Sequence, residues 1–238
     1  MNKIRLDQAL VQKGLVATRS QAESYIKLGF VLVNGQPVLK PGLFISKNQE
    51  IKLNKSEKYV SRAGFKLEAA NKLFKINFKN KIVLDVGSST GGFTDYALQN
   101  GSAKIIAVDI GTNQLHPKLR GDKRIELHEK TDIRNFQPRI IPDIILMDIS
   151  FISARLILQY LVSLCGPKTQ IIVLLKPQFE AGKDQINRGV VKNDRIRRRI
   201  FKDYENWTKK LFKTVGKTDS KVSGSRGNLE RFYLLEKI

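Results

Sequence analysis

Cysteine is almost absent: Cys165 is the single thiol in 238 residues. That excludes an internal disulfide and a zinc site built from cysteine alone, and it suits a reducing compartment, here the cytoplasm. Its neighbours Leu161, Val162 and Leu164 predict a buried, inert thiol. Histidine is scarce as well. His116 and His128 are isolated, and no metal site is expected. No run approaches the roughly 20 apolar residues that span a bilayer. The first residues carry Lys3, Arg5 and Asp7 without an apolar core, so no secretory leader is expected. No repeat recurs at solenoid periods. Acid is in deficit: 22 Asp plus Glu face 43 Lys plus Arg, a net charge of +21. Such a surplus is either a lysine-rich solvated surface or the complement of a polyanion. RNA or DNA fits better than a membrane, because no basic amphipathic helix carries a Trp/Phe/Leu face.

What is present centres on Ile82–Asp95. An apolar run, Ile82 to Val86, contains the acid Asp85 and meets the turn Gly87, Ser88, Ser89, Thr90, Gly91, Gly92, followed by Phe93. This reads as buried strand, loop and helix, the arrangement that holds a nucleotide-like ligand at the carboxyl end of a strand. A dinucleotide loop has the spacing Gly-x-Gly-x-x-Gly. Here it is Asp-x-Gly-x-x-x-Gly-Gly, and Asp109 ends the next strand 24 residues after Asp85. A pyrophosphate gains nothing from Asp85, whereas an ammonium-bearing ligand such as S-adenosylmethionine does. Asp109 can accept ribose hydroxyls, or it can cap a helix.

From Lys81 onward, strand-like runs alternate with helical segments, the pattern of a parallel α/β sheet. The strands are drawn at Ile82–Val86, Lys104–Val108, Ile125–Leu127, Asp143–Asp148, Gln170–Leu175, Thr214–Lys217 and Arg231–Leu235. Helices are drawn at Arg62–Phe74, Gly92–Gln99, Gln114–Leu119, Ile152–Leu164 and Asp194–Phe212. The last two strands leave no room for a crossover helix, so at least one is antiparallel. Seven strands so arranged suggest a Rossmann-like methyltransferase sheet, here assigned to residues 62–238. Lys66 lies inside a helical pattern that alone gives it a solvated side chain. The run Arg195, Arg197, Arg198, Arg199 spreads around a helix, so part of it is solvated.

Residues 1–54 form a smaller α+β domain, joined by a polar linker at 55–61. Leu6, Ala9 and Leu10 have helical spacing, which Gly14 ends. Thr18 to Gln21 matches a capping box that opens a second helix. Val31–Val33 and Gln36–Leu39 flank Asn34-Gly35, a hairpin turn. A short strand follows at Glu50–Leu53. Arg5-Leu6-Asp7, Thr18-Arg19-Ser20, Leu28–Gly35 and Lys40-Pro41-Gly42 resemble the alpha-L RNA-binding motif of a small-subunit ribosomal protein, pseudouridine synthases and a tyrosyl-tRNA synthetase. The resemblance implies RNA binding, with Arg5, Arg19, Ser20 and Lys27 as candidate contacts; Arg62, past the linker, is a further candidate. The alternative is that they are ordinary surface charges.

A second resemblance covers nearly the whole chain. Asp85 to Asp95 with Leu98-Gln99-x-Gly101-Ser-Ala resembles the FtsJ-like ribose methyltransferases, and most of all the TlyA family of rRNA cytidine 2′-O-methyltransferases, also called haemolysins. Tyr59–Leu67, Val108–Gly111, Asp148–Ser153, Leu175–Gly182 and Gly227–Glu230 carry it further. The resemblance implies a Lys-Asp-Lys-Glu tetrad at Lys66, Asp148, Lys176 and Glu230, S-adenosylmethionine as cofactor, and ribosomal RNA or ribosomal subunits as substrate. It implies an adenine contact near Asp132, and action on the large subunit. A monomer with no membrane association is expected.

Asp148 and Lys176 end adjacent strands, and Glu230 begins the last one, so all three reach one rim. Methylating a ribose hydroxyl requires its proton to be taken while the oxygen is held in line. Lys176 is the expected general base, Lys66 a second cation, and the two carboxylates orient them. The remaining alternatives are a non-catalytic ribosome-assembly protein on the same fold and a membrane-lytic protein. Ser223, Ser225 and Arg226 are candidate groove residues.

Overall fold

A computed structural model describes residues 3–16, 19–27, 29–46, 48–54, 58–222, 224 and 227–238. The chain divides into two compact units, Met1–Arg62 and Ala63–Ile238.

In the first unit, strand β1 (Lys3–Arg5) runs into helix α1 (Leu6–Gln12), and α2 (Arg19–Lys27) follows. Then come strands β2 (Val31–Val33), β3 (Gln36–Pro37), β4 (Phe44–Ser46) and β5 (Ile51–Leu53). Gly14, at φ 65°, turns the chain after α1. Asn34 and Gly35 have φ of 50° and 78°, the two positive values that a type I′ turn requires. The expected capping box lies outside the described residues at Thr18. The expected single sheet is two among the described residues: β1 pairs with β4, and β2 lies between β3 and β5. Strands of three residues show too little alternation for sequence alone to find β1 and β4. The core is apolar, with Leu6, Ala9 and Leu10 of α1 and Ala22 and Ile26 of α2 packed on Val31, Val33 and Ile45.

The second unit opens on α3 (Arg62–Phe74), whose first residue belongs to the other unit. Next are β6 (Ile82–Val86), α4 (Gly92–Gln99), β7 (Lys104–Val108), α5 (Pro117–Arg120), β8 (Ile125–His128), β9 (Ile144–Met147) and α6 (Ala154–Leu161). The unit closes with β10 (Gln170–Leu175), α7 (Asp194–Thr208), β11 (Phe212–Asp219) and β12 (Arg231–Lys237). The seven strands lie in the order β11-β12-β10-β9-β6-β7-β8. Neighbours from β10 to β8 are parallel, whereas β12 is antiparallel to both β10 and β11. The chain order reverses between β6 and β9, the switch point where such sheets bind ligands.

Three helices are shorter than drawn, the first being Ile152–Leu164, where α6 covers Ala154–Leu161 and a 3₁₀ turn, Val162–Leu164, follows. Pro117 cannot donate a backbone bond and so starts the helix, which runs over Pro117–Arg120 in place of the expected Gln114–Leu119. Helix α7 stops at Thr208 because Phe212 is needed as the first residue of β11, in register with Lys237. Leu84, Ile106, Ile145 and Val173 form the sheet side of the core, with Leu158 and Leu161 of α6 and Phe201 and Tyr204 of α7 packed against it. Trp207 lies half-buried beside them, its ring 6.5 Å from that of Tyr204. Cys165 is in this core too, and burial pushes its thiol up to about 11. No helix among the described residues is long and apolar enough to cross a membrane.

Candidate active site

Three strand ends bring the candidate catalytic side chains to one rim. Asp148 follows β9 and Lys176 follows β10, while Glu230 precedes β12, which runs the other way. Lys176 Nζ lies 2.7 Å from Asp148 Oδ1 and donates to Ser150 Oγ at 2.8 Å. Lys66 is not solvated as its helical pattern alone implied. It is buried on the inner face of α3, and its Nζ donates to Glu230 Oε2 at 2.5 Å. Each lysine therefore has its own carboxylate. Glu230 packs closely against Gly224, where any side chain would strike its Oε1.

Beside this rim a cavity of about 430 Å³ opens at the switch point. Gly87, Ser89, Asp109, Asp132, Asp148 and Ser150 line it, with an apolar wall of Val86, Ile110, Ile133, Ile149 and Ile157. Both acceptors of Lys176 thus face the cavity. Asp109 takes backbone N–H bonds from Ser89 at 2.8 Å and Gly111 at 2.7 Å, so it fixes two loops at once. Each of its oxygens retains a further lone pair for a ligand hydroxyl. Asp132 caps the turn Ile133–Asn135 and is gripped by Arg134, whose guanidinium holds its carboxyl below the usual carboxylate range.

The other expected cofactor residues stand behind the wall. Asp85 is fully buried, takes the Thr94 hydroxyl on Oδ2 at 2.6 Å, and leaves Oδ1 without a described partner. Burial pushes its carboxyl up to about 7, Thr94 opposes this, and the charges of Asp148 and Asp109 add to it. Ser88 is buried, and Gly91 and Gly92 start α4 beneath the loop. Phe93 packs in the interior against Phe232, so its ring does not reach the cavity. Thr90 is exposed and off the wall. The glycines also serve a purpose other than ligand approach. A Cβ on Gly87, at φ 79°, would lie 2.8 Å from the Asp148 carbonyl oxygen. One on Gly91, at φ 88°, would lie 2.5 Å from Leu119. Protein, not ligand, presses on both.

The residues fit S-adenosylmethionine on the evidence of that cavity: an apolar slot for a flat ring, a carboxylate for ribose hydroxyls, and an orphaned buried carboxylate behind the loop.

In the first unit, Arg5 and Arg19 both hold Asp7. Arg5 makes bonds of 3.1 and 2.8 Å and Arg19 one of 2.9 Å, and Asp7 is completely buried. Burial raises the Asp7 carboxyl, but the two guanidiniums outweigh it and hold the group below its ordinary value. Lys27, the last residue of α2, and Arg62, the first of α3, are half-buried. The side chain of Ser20 lies outside the described residues, as do Ser223, Ser225 and Arg226.

Sequence reasoning assigned no role to Ser150, Phe151 or Glu180. Phe151 is 92% exposed at φ 68°, a conformation that a bulky side chain rarely adopts, and its ring lies 5.3 Å from that of Phe179. Glu180 accepts from Ser153 Oγ at 2.7 Å and Ala154 N at 2.6 Å, and so ties the strand-end loop of Asp148 to that of Lys176. Hydrophobic and acidic residues in loops carry no periodic signal. Only their closeness to Asp148 and Lys176 in the chain could have marked them.

Comparison with known proteins agrees with this geometry. Residues 59–237 match the FtsJ-like methyltransferases and residues 4–51 the S4 domain. The chain is 35% identical to the 16S/23S rRNA (cytidine-2′-O)-methyltransferase TlyA of Mycobacterium tuberculosis, over 98% of this chain and 90% of that one. It is 37% identical to Hemolysin A of Brachyspira hyodysenteriae, over 95% and 97%. A solved structure from Streptococcus thermophilus is 39% identical and superposes with a TM-score of 0.76, covering 100% of this chain and 89% of that one.

Proposed function

This chain belongs to the FtsJ-like methyltransferase family, and from that premise we propose that it methylates a cytidine ribose 2′-hydroxyl of ribosomal RNA, using S-adenosylmethionine. The observation that carries the reading is the Lys176–Asp148 pair, whose carboxylate lines the switch-point cavity. When bound, S-adenosylmethionine supplies a methyl group on a sulfonium, an electrophile whose leaving group is a neutral thioether. Asp109 would hold the cofactor's ribose and Asp132, braced by Arg134, the adenine end of the slot. Asp85 would balance the ammonium from beneath the loop.

The remaining work is to position one hydroxyl and remove its proton. Lys176 is the group placed to take that proton. Asp148 and Ser150 aim its Nζ at the cavity. Lys66 and Glu230, buried as a pair, give the rim a fixed dipole beside the reacting oxygen. Phe151, held outward, offers a flat face on which the base of the substrate nucleotide can stack. The first unit supplies position rather than chemistry, with Arg5, Arg19, Ser20, Lys27 and Arg62 as its candidate contacts to phosphates. Metal ligation is not part of this reading.

The test is calorimetric titration with S-adenosylhomocysteine, followed by tritiated methyl transfer to ribosomal particles from cells lacking the gene. Cofactor binding together with a mapped 2′-O-methyl cytidine is the expected result. Tight cofactor binding with no transfer to any ribosomal RNA or particle would favour a non-catalytic assembly protein.

A further inference from the structure

The chain that leaves Lys176 builds one flank of the rim, and the flank is basic. After the turn Pro177–Phe179 it forms a tight hairpin in which Asn187 bridges Val190. Arg188 and Gly189 form its tip, at φ 49° and 81°. The buried Asn228 fixes this tip: its Oδ1 accepts from Val191 N at 3.1 Å and its Nδ2 donates to Gly189 O at 2.9 Å. Asn228 lies two residues before Glu230, so the hairpin is tied to the same turn that presents a rim carboxylate. Helix α7 follows directly.

The structure sorts the arginine run that sequence left spread around this helix. Arg197 is paired with Asp194 at 2.8 Å and Arg199 with Asp203 at 3.8 Å. Arg195, Arg198 and Lys202 fall within about 60° of one another around the axis. All three are exposed, clear of Ile200, Phe201, Tyr204 and Thr208, which the helix buries. Together with Arg188 and Lys192 they are cations for which no ion pair is found among the described residues. The height of the helix is fixed as well. The Arg231 guanidinium lies over the Phe201 ring at 4.4 Å, and Arg231 is in register with Leu175, the last residue before Lys176. Helix α7 also packs on the Pro177–Phe179 turn. Six residues at 1.5 Å each carry Arg195 about 9 Å past the last rung of the sheet, on the side where Lys176 opens.

We propose that Arg188, Lys192, Arg195, Arg198 and Lys202 form a wall that binds the phosphate backbone of RNA as it enters the Lys176 rim. This rests on the RNA reading above and adds to it a contact surface on the catalytic unit itself. Long, exposed cations with no ion pair among the described residues suit a repeating anion. The clasp at Asn228 makes the wall part of the site's frame, so phosphates held there are registered against Glu230 and Lys176. The wall reads no sequence.

The experiment measures binding of the full chain to a mixed-sequence single-stranded RNA as a function of salt. One variant replaces Arg188, Arg195, Arg198 and Lys202 with alanine. A charge-matched control replaces Lys79, Lys123, Lys168 and Lys210, exposed residues that precede strands β6, β8, β10 and β11 at the opposite end of the sheet. The wall variant is expected to lose more than tenfold in affinity, and the slope of log affinity against log salt is expected to shrink by about 2 to 3. The control is expected to keep a slope within about 1 of the parent. Retained S-adenosylhomocysteine binding by calorimetry shows that the wall variant is folded. Should it not be, the single changes Arg195→Ala and Arg198→Ala carry the test, each expected to remove about 0.7 from the slope. Equal losses in wall and control variants, or no loss in the wall variant, would overturn the wall and leave the RNA reading intact. Failure of the unaltered chain to bind RNA would overturn both.

Discussion

In Ala63–Ile238 the charges proposed to be catalytic stand at the ends of strands that are buried on both faces. In Met1–Arg62 the charges are part of what holds the unit together. Strands β6 and β10 are almost wholly buried, and Lys176 and Asp148 extend from that frame without supporting it. The first unit has strands of two or three residues, and the buried Asp7 joins Arg5 at the start of α1 to Arg19 at the start of α2. The difference teaches where function and stability can be separated. At the Lys176 rim a side chain can be removed and the fold kept. At Arg5 or Arg19 the group proposed to meet RNA also neutralises a buried carboxylate. Lys66 and Glu230 are the exception in the second unit, because both are buried and each is the other's partner.

The largest expected effect tests the separable side of that contrast. Lys176→Ala should lower single-turnover methyl transfer by about 10² to 10⁴ while RNA affinity and melting temperature hold. A large loss of RNA binding would mean that the rim and its frame are not separable. Lys66→Ala should behave in the opposite way. It leaves Glu230 buried without a partner and should cost about 3–5 kcal/mol of stability by chemical denaturation, and Lys66→Met with Glu230→Gln should restore much of the loss without restoring activity.

Acid should divide the units. Burial raises Asp85 to about 7, so the folded chain keeps a proton there that the unfolded chain releases. That contribution to stability is full below about pH 4 and falls as pH rises towards 7. Asp7 is depressed by its arginines, so its contribution is full at neutral pH and falls as pH drops below about 4. Lowering the pH from 7 to 4 should therefore stabilise the second unit, and only stronger acid should loosen the first. Asp85→Asn should flatten the first of these slopes, gain up to about 4 kcal/mol at neutral pH in the cofactor-free chain, and bind S-adenosylhomocysteine at least tenfold more weakly. Calorimetry in buffers of different ionisation heat should count protons released on binding to the parent and none for the variant.

Two smaller effects complete the comparison. Arg19→Ala should weaken RNA binding several-fold and lower the melting point of the first unit together, which no change at the Lys176 rim should do. Cys165 should resist thiol reagents until the second unit unfolds.

The second unit was legible where long apolar runs leave one solution. The limits of β6, β7 and β10 follow from the sequence because each is a short, mainly Val/Ile/Leu run bounded by polar residues or glycine, interrupted by an acid only at Asp85 of β6. Acids and lysines at strand ends could be assigned to one rim by topology alone. What was not legible depends on contacts distant in sequence. Nothing in the sequence around Asp85 says that Thr94 and burial, rather than a ligand, meet it first. Gly87 reads as room for a cofactor, yet it is the carbonyl of Asp148, 61 residues away, that fills the space. The pairing of β1 with β4 and the outward turn of Phe151 are decided by tertiary packing, and short segments carry no period from which to foresee them.

The lone tryptophan has a spectroscopic consequence. Trp207 stands on α7 against Tyr204, inside the second unit. Red-shifted tryptophan emission during denaturation therefore reports the melting of the sheet and α7 only. The first unit, which contains no tryptophan, can unfold without moving that signal. A denaturation curve followed by tryptophan emission alone would describe the catalytic unit while the RNA-binding one passed unseen, and circular dichroism of the same sample would expose the gap as a second transition.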